Sequence, residues 1–452
     1  MRIPAIDYKK MHNWENYSFD LPVEYRQSIE EGKDLSAYKS LFEAVAGMEK
    51  SEEKARIADV LYSLVMNAKT VEGYAYNEPD ELDEIRALSE GNACACEKLS
   101  EEALFDRVYG AWLGRICGCL LGKTVEGIRT NELHALLKES GNFPMHRYIL
   151  SGDVTEEMKN NFVFPLAERC YADKIDAAPV DDDTNYVVLA QVLIEKYGRD
   201  FTSENVERVW LDYQPKYAYC TAERVAYVNF VKGYHPHDSA LYKNPYREWI
   251  GAQIRGDYFG YINPGNPALA AEMAWRDARI SHVKNGIYGE MFASAMIAAA
   301  ACESDIKKII RAGLNEIPQT SRLHEAVSRI ICDFENGADT DAAFKAIHTR
   351  WDEHNSHDWC HTISNAEIVA ASLLCGNGDF GKSICLAVQT GFDTDCNGAT
   401  VGSVLGMRGG AKVIDNQWSD PVNGLLDTSI FGVGRVNIRD MAEKTLSHIE
   451  NA

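Results

Sequence analysis

Glycines on a four-residue beat constrain this chain more than any other feature of it. In LFDRVYGAWLGRICGCLLG, Gly110, Gly114, Gly118 and Gly122 recur inside a segment with helical apolar spacing, and Gly398, Gly402 and Gly406 repeat the pattern in GATVGSVLGMRGGA. Residues four apart share a helix face, so each run is a bare stripe along which another helix could approach closely. Each internal glycine costs about 1 kcal/mol relative to alanine, which predicts a packing reason for the stripes. A phosphate loop in CGCLLGKT fails, because its required first glycine falls on Cys117 and no strand precedes it.

The remainder of the chain reads in the same period. NYVVLAQVLIEKYG, SENVERVWLDY, ALAAEMAWRDARISH, YGEMFASAMIAAA, SDIKKIIRAGL, LHEAVSRIICDF, AEIVAASLLCG and GKSICLAVQTG all read as helices. The breaks carry turn chemistry, as in NPGNP at 263–267 and GNGDFG at 376–381. Sustained period-2 alternation is almost absent, which disfavours βαβ units and predicts an all-α architecture. At 452 residues the chain is long for one core and short for three. Residues 1–100 are more polar and charge-mixed and concentrate no chemistry, so they are expected to form a helical N-terminal appendage to a main helical domain over 101–452.

Lys and Arg number 46 against 68 Asp and Glu, a net charge of −22. That surplus argues against a nucleic-acid backbone or an anionic membrane as principal partner. It fits either a plainly acidic soluble surface or a protein that concentrates cations. The 12 cysteines are scattered through apolar stretches and form no CxxC, which disfavours structural zinc. With no signal peptide read at MRIPAIDYKK, buried reduced thiols in a cytoplasmic protein are expected. MFASAMIAAAAC at 291–302 is the longest apolar run, too short to span a bilayer, and reads as a buried helix.

Chemistry concentrates in two acidic clusters. Asp181, Asp182 and Asp183 precede Thr184 and an apolar helix, and Asp393 and Asp395 lie in GFDTDCN at 391–397, just ahead of the second glycine stripe. Either cluster alone is accounted for by N-capping and dipole complementation. Three adjacent carboxylates exceed what a cap needs, however, and their mutual repulsion calls for a cation. Converging at two helix ends, the clusters would offer a hard, all-oxygen set suited to Mg²⁺ or Mn²⁺ rather than zinc. A pair of such ions orients hydroxyls and activates a water. Glu126 in GKTVEG lies just beyond the first striped helix, where an isolated glutamate is ordinarily solvated.

Taken together, GAWLGRICGCLLGKTVEG (110–127), the acid-acid-Thr at 182–184 and AVQTGFDTDCNGATVGSVLGMRGG (387–410) resemble the ADP-ribosylglycohydrolase family, which includes the dinitrogenase-reductase-activating glycohydrolases. The order and spacing of the three motifs match, and the resemblance runs over roughly 104–415. It implies an all-α orthogonal multi-helix bundle around a dinuclear Mg²⁺ or Mn²⁺ centre. Asp182, Asp183, Asp393 and Asp395 would be the ligands, and Glu126 would sit beside the metals near the ribose. Asp181 and Cys396 stand where the family usually has Thr or Ser. Asp181 can still ligate and adds charge, whereas the Cys396 thiol is a poor partner for a hard cation, so one of the two ions is expected to be weakened.

The segment 251–292 is dense in groups that could line a pocket. His282, Asn285 and Gly286 fall where the family has a histidine and small residues, and Tyr288, Gly127 and Gly391 complete the expected substrate contacts. Asp257, Arg276, Asp277 and Arg279 are further candidates, the arginines as partners for a diphosphate; the RGD at 255–257 is read as chance. The histidines of GYHPHD (233–238) and EHNSHDWCH (353–361), including His357 and His361 at i, i+4, read as solvated or hydrogen-bonded side chains. The resemblance implies hydrolysis of an N- or O-glycosidic bond at ribose C1 of an ADP-ribosyl group, with Glu126 and Asp183 moving protons. Two alternatives stand beside it: hydrolysis of a free nucleoside or other small ribosyl compound, and a non-catalytic binding or structural descendant.

Overall fold

The computed structural model describes residues 5–92 and 99–450. It is an all-α bundle. Among the described residues the only strand ladder is Leu425–Leu426 paired antiparallel with Val436–Asn437, in keeping with the missing period-2 signal.

The bundle is organised by the two glycine-striped helices. The first, Glu101–Lys123, is capped by Ser100, which accepts from the Ala103 amide at 3.2 Å, and carries Glu101 and Glu102 in its first turn. The second runs Thr394–Gly409. They pack antiparallel, stripe on stripe: Gly110 faces Gly406, Gly114 faces Gly402, Gly118 faces Gly398, and Gly122 faces Thr394. A Cβ built at any of the four positions would land on the opposing backbone, well inside van der Waals contact. The crossing is tied at both ends. Thr394 Oγ1 donates to the Gly122 carbonyl at 2.9 Å, and at the far end the Ala411 amide donates to Asp106 at 3.2 Å while Arg107 donates to the Met407 carbonyl at 3.1 Å.

Other helices wrap this pair. Asn285–Ala300 is buried along its whole length, so the apolar run at 291–302 is a core helix; among the described residues no helix is long and apolar enough to cross a membrane. Cys302 lies just past its end, exposed, and is disulfide-bonded. That corrects the expectation of buried, uniformly reduced thiols: Cys302 lies outside the apolar cover, as does Cys332, which is exposed and free. Cys117, Cys119, Cys360, Cys385 and Cys396 are free and buried; Cys94 and Cys96 lie outside the described residues.

The N-terminal residues fold as short helices, Leu21–Glu30, Lys39–Ala46 and Glu52–Asn67, around a small cluster of their own that includes Leu21, Leu35, Phe42, Leu61 and Val65. Their junction with the rest of the chain is polar and buried. Arg247 takes Glu24 at 3.0 Å and Glu31 at 2.6 Å, Gln27 donates to Glu248 at 2.5 Å, and Arg322 bridges Glu78 and Glu248, both at 2.7 Å.

Gly118→Ala is expected to destabilise the protein by about 3 kcal/mol, read as a lowered urea midpoint, because a fixed carbonyl rather than a movable side chain meets the methyl. Gly152→Ala is the control. Gly152 has nothing within 4 Å of its would-be Cβ, and its midpoint should shift little.

Candidate metal centre and active-site pocket

The antiparallel crossing sets the C-terminal end of the first striped helix beside the N-terminal end of the second. One residue after glycines 114, 118 and 122 runs a neighbouring row, Arg115, Cys119 and Lys123, and this row meets the acids. Asp181 is the N-cap of the helix Asp182–Tyr197, and its Oδ1 accepts from the Asp183 amide at 2.8 Å. Its Oδ2 takes the Lys123 ammonium at 2.6 Å. Capping and charge clustering are thus both true of this acid, and both of its oxygens already have protein partners. Asp183 is fully buried; Arg115 reaches its Oδ1 at 3.0 Å and extends to Asp257 at 2.7 Å.

Ligand-capable atoms of Asp183, Asp395 and Cys396 lie within 4.8 Å of one another, and so do those of Cys119, Asp181 and Asp183. Asp183 is common to both groups. Its Oδ2 and the Oδ1 of Asp395 are buried without a hydrogen-bond partner, an arrangement that requires protons or a cation. Burial, with Asp181 and Glu126 beside it, holds the Asp182 carboxyl well above the ordinary range. Burial also raises Asp183 despite Arg115, and raises Asp395 together with Glu126 and Asp181. Asp393 is pushed to about 7 by burial and by Glu126. Carboxylate oxygens left unpartnered in so small a volume fit a hard divalent ion such as Mg²⁺ or Mn²⁺. The thiols do not: burial and the surrounding acids hold Cys396 and Cys119 protonated.

Asp182, Asp393, Asp395 and Cys396 line a pocket of about 470 Å³ that also holds Glu126, Glu223 and Asp20. Trp14, Trp249 and Trp359 line it as well, and among the described residues no Lys or Arg does. Glu126 is solvent-exposed at this wall, yet its carboxyl is raised by desolvation within the pocket and by Asp181. Asp183 is absent from the lining. It stands behind the wall with one oxygen pinned by Arg115, whereas Glu126 lines the pocket.

The expected substrate contacts are placed less favourably, and none of them lines the pocket. Gly127 (φ +91°) and Gly391 (φ +76°) shape the turns that carry Glu126 and Asp393. Asn285 is spent on Glu78 at 2.8 Å, Glu248 at 3.0 Å and the Leu323 amide at 3.0 Å. Gly286 gives room to the Arg247 carbonyl, at 2.6 Å from a would-be Cβ. Tyr288 donates to the Pro79 carbonyl. His282 is buried beside Ser281 at 2.8 Å, with Glu223 at 4.0 Å, and its pKa is driven far down by burial and Arg255. Arg276 pairs with Glu272 and Arg279 with Glu81 at 2.8 Å, so neither offers the pocket a positive charge. Arg255 and Asp257 of the RGD are sunk in internal ion pairs, Arg255 with Glu223 (3.1 Å) and Asp277.

His357 and His361 do converge, on Glu30 at 2.9 and 3.8 Å. Each accepts at Nδ1, from the Trp249 indole and the Ile363 amide, both at 3.1 Å. Each Nε2 therefore carries its hydrogen toward an acid, and neither is open to a metal. Sequence reading missed Arg115, Cys119 and Lys123, whose signal is the offset of one from the glycines. It also missed Trp14 and Trp359, for which no signal exists.

In the unfolded chain Asp393 titrates near the ordinary value of about 3.9, against about 7 in the fold. The folded, ion-free protein thus keeps protons that the unfolded chain has released, and this stabilisation is lost as pH rises through about 7. The melting temperature of the chelator-treated protein should fall between about pH 5 and about pH 8, saturating Mn²⁺ should remove the fall, and Asp393→Asn should make it shallower, the remaining raised acids keeping the rest. A melting temperature that rises across that window in the chelated protein would contradict the buried acid cluster.

The pattern model for ADP-ribosylglycohydrolases matches residues 100–451. A solved "ADP-ribosylglycohydrolase-related protein complex" shares 18% identity over 77% of this chain and 99% of its own, with a TM-score of 0.47. No curated protein matches. With the striped helices, the acid clusters and a family match across most of its length, the chain belongs to the ADP-ribosylglycohydrolase family, whose members are metal-dependent glycohydrolases.

Proposed function

We propose that this protein hydrolyses an N- or O-glycosidic bond at C1 of a ribose, using Mg²⁺ or Mn²⁺ held by Asp182, Asp183, Asp393 and Asp395. The observation that carries the reading is that acids from three separate stretches, Glu126, Asp182, Asp393 and Asp395, line one pocket. A divalent ion held there supplies positive charge for the ribose hydroxyls and lowers the pKa of a water. The chain's own residues do the rest. Glu126 reaches the pocket with a raised carboxyl, suited to giving a proton to the leaving group and taking one from the attacking water. Arg115 and Lys123 fix Asp183 and Asp181 from behind. Three indoles, those of Trp14, Trp249 and Trp359, give the wall its apolar part.

Of the two substrate classes, the lining favours a free nucleoside or other small ribosyl compound over an ADP-ribosyl group. A diphosphate would enter a pocket lined, among the described residues, by six carboxylates and no base, and two divalent ions offset four of those charges at most. The ADP-ribosyl reading has one supporting observation: Arg129, which has no ion-pair partner among the described residues, lies 5.5 Å over the Trp359 ring.

Asp181 is occupied by Lys123 and Cys396 is a thiol, so the centre holds one ion tightly and a second weakly. Equilibrium dialysis with Mn²⁺ should resolve those two affinities, and Cys396→Thr should tighten the weaker, a hydroxyl being the harder donor. Glu126→Gln should lower kcat by about 10²–10⁴-fold with Mn²⁺ binding retained, whereas Asp395→Asn should lose both. Ribose release from nucleosides, set against ADP-ribose release from ADP-ribosyl-arginine, is the assay. No bound ion and no turnover of either with Mn²⁺ supplied would instead establish a non-catalytic descendant.

A further inference from the structure

The matched family residues begin at 100, yet Asn13, Trp14 and Asp20 line the same pocket as Glu126, Asp182, Asp393 and Asp395. We infer that this N-terminal segment is the specificity wall of the active site, with Trp14 as a platform for the leaving group. The substrate class it selects is an N-ribosyl compound whose leaving group is a planar ring, uncharged or cationic. The inference rests on the glycohydrolase reading above and names its substrate.

Trp14 is held as a fixed surface. It lies in the turn Asn13–Glu15, its amide donating to His12 at 3.3 Å, with the His12 ring 4.3 Å away and the Arg224 guanidinium 4.9 Å from its ring. Arg224 is itself fixed, donating to the Tyr219 carbonyl at 2.7 Å. Asp20 is fixed by the Tyr246 hydroxyl at 2.7 Å, and the Tyr246 ring packs 4.8 Å from that of Trp249. The segment and the pocket wall also share a joint. His357 accepts from the Trp249 indole on one nitrogen and meets Glu30 of the helix Leu21–Glu30 on the other. The wall is thus locked to the residues it helps to enclose.

The chemistry of the lining identifies what it takes. Indole faces bind flat rings by stacking, and cationic rings more strongly. The Trp249 N–H is spent on His357, but the Trp359 N–H is buried with no hydrogen-bond partner, a donor for a ring carbonyl or nitrogen. Asp20 adds a carboxylate that favours a positive leaving group and repels a phosphate.

The test measures binding to the full-length, Mn²⁺-loaded protein in a Glu126→Gln background, so that probes are not consumed. The probes are D-ribose, adenosine, nicotinamide riboside and ADP-ribose. Nicotinamide riboside should bind at least about tenfold more tightly than ADP-ribose. Trp14→Ala should weaken adenosine and nicotinamide riboside about tenfold and leave D-ribose unchanged, while Trp14→Phe stays within about threefold. Asp20→Asn should weaken nicotinamide riboside alone. Equal losses for all probes including ribose, or no loss in Trp14→Ala, would overturn the wall. ADP-ribose binding as tightly as the nucleosides would overturn the substrate class. Because Mn²⁺ and D-ribose binding are read independently, their absence would fail the glycohydrolase reading itself, whatever Trp14 does.

Discussion

Backbone touches backbone along the crossing of the two striped helices, and the positions of the acids follow from that contact. A side chain larger than hydrogen at Gly110, Gly114, Gly118 or Gly122 meets a carbonyl or amide of the opposing helix, so the helices have a single close register. That register is the common origin of two placements that look unrelated in sequence. It brings the turn carrying Glu126 to the end of the helix that starts at Thr394, and it turns the row Arg115, Cys119, Lys123 toward Asp181 and Asp183. Helix propensity given up at several glycines is exchanged for a rigid frame around a site that charge repulsion would otherwise open.

Rigidity matters because the site is electrostatically costly. Acids from both clusters are buried or half-buried together, and a flexible scaffold would let them drift apart into water. Instead the fold offsets part of the repulsion internally. Arg115 is wholly buried between Asp183 and Asp257, and Lys123 stays charged under Asp181 and Asp395 in spite of its burial. What is left uncompensated, the free oxygens of Asp183 and Asp395, is the part a divalent ion can answer.

The all-α architecture was legible because helical periodicity runs through nearly every segment, and the acid clusters stood out because three carboxylates in a row exceed what a helix cap needs. The segment 251–292 reaches the pocket at Gly251 and Ile254, and the rest of it packs inward for a physical reason. Its glycines and aromatics suggested a ligand pocket, but Gly256, Gly260 and Gly286 serve close contacts with Glu290, Ile297 and Arg247, and its charged residues neutralise one another through Arg255. Richness in special residues marks tight packing as readily as binding, and only the third dimension separates them. Trp14 was illegible for the opposite reason. It sits in a polar stretch with no periodicity, and its importance comes from tertiary placement against Arg224 and the pocket.

The two departures from the family's hydroxyls can be weighed together once their neighbours are known. Asp181 in place of a hydroxyl adds a negative charge, but Lys123 stands 2.6 Å away and cancels it, while the other oxygen performs the helix cap that a Thr or Ser would also perform. The substitution is therefore self-contained within the crossing, because the residue that answers it follows Gly122 directly. Cys396 has no such answer: its thiol is kept protonated by burial and then by the same acids that would bind an ion. The loss of hard donors thus falls unevenly on the centre. It falls on the group that Asp183 and Asp395 form, where the third ligand-capable atom within 4.8 Å is the Cys396 sulfur, while the charge added at Asp181 is met by Lys123.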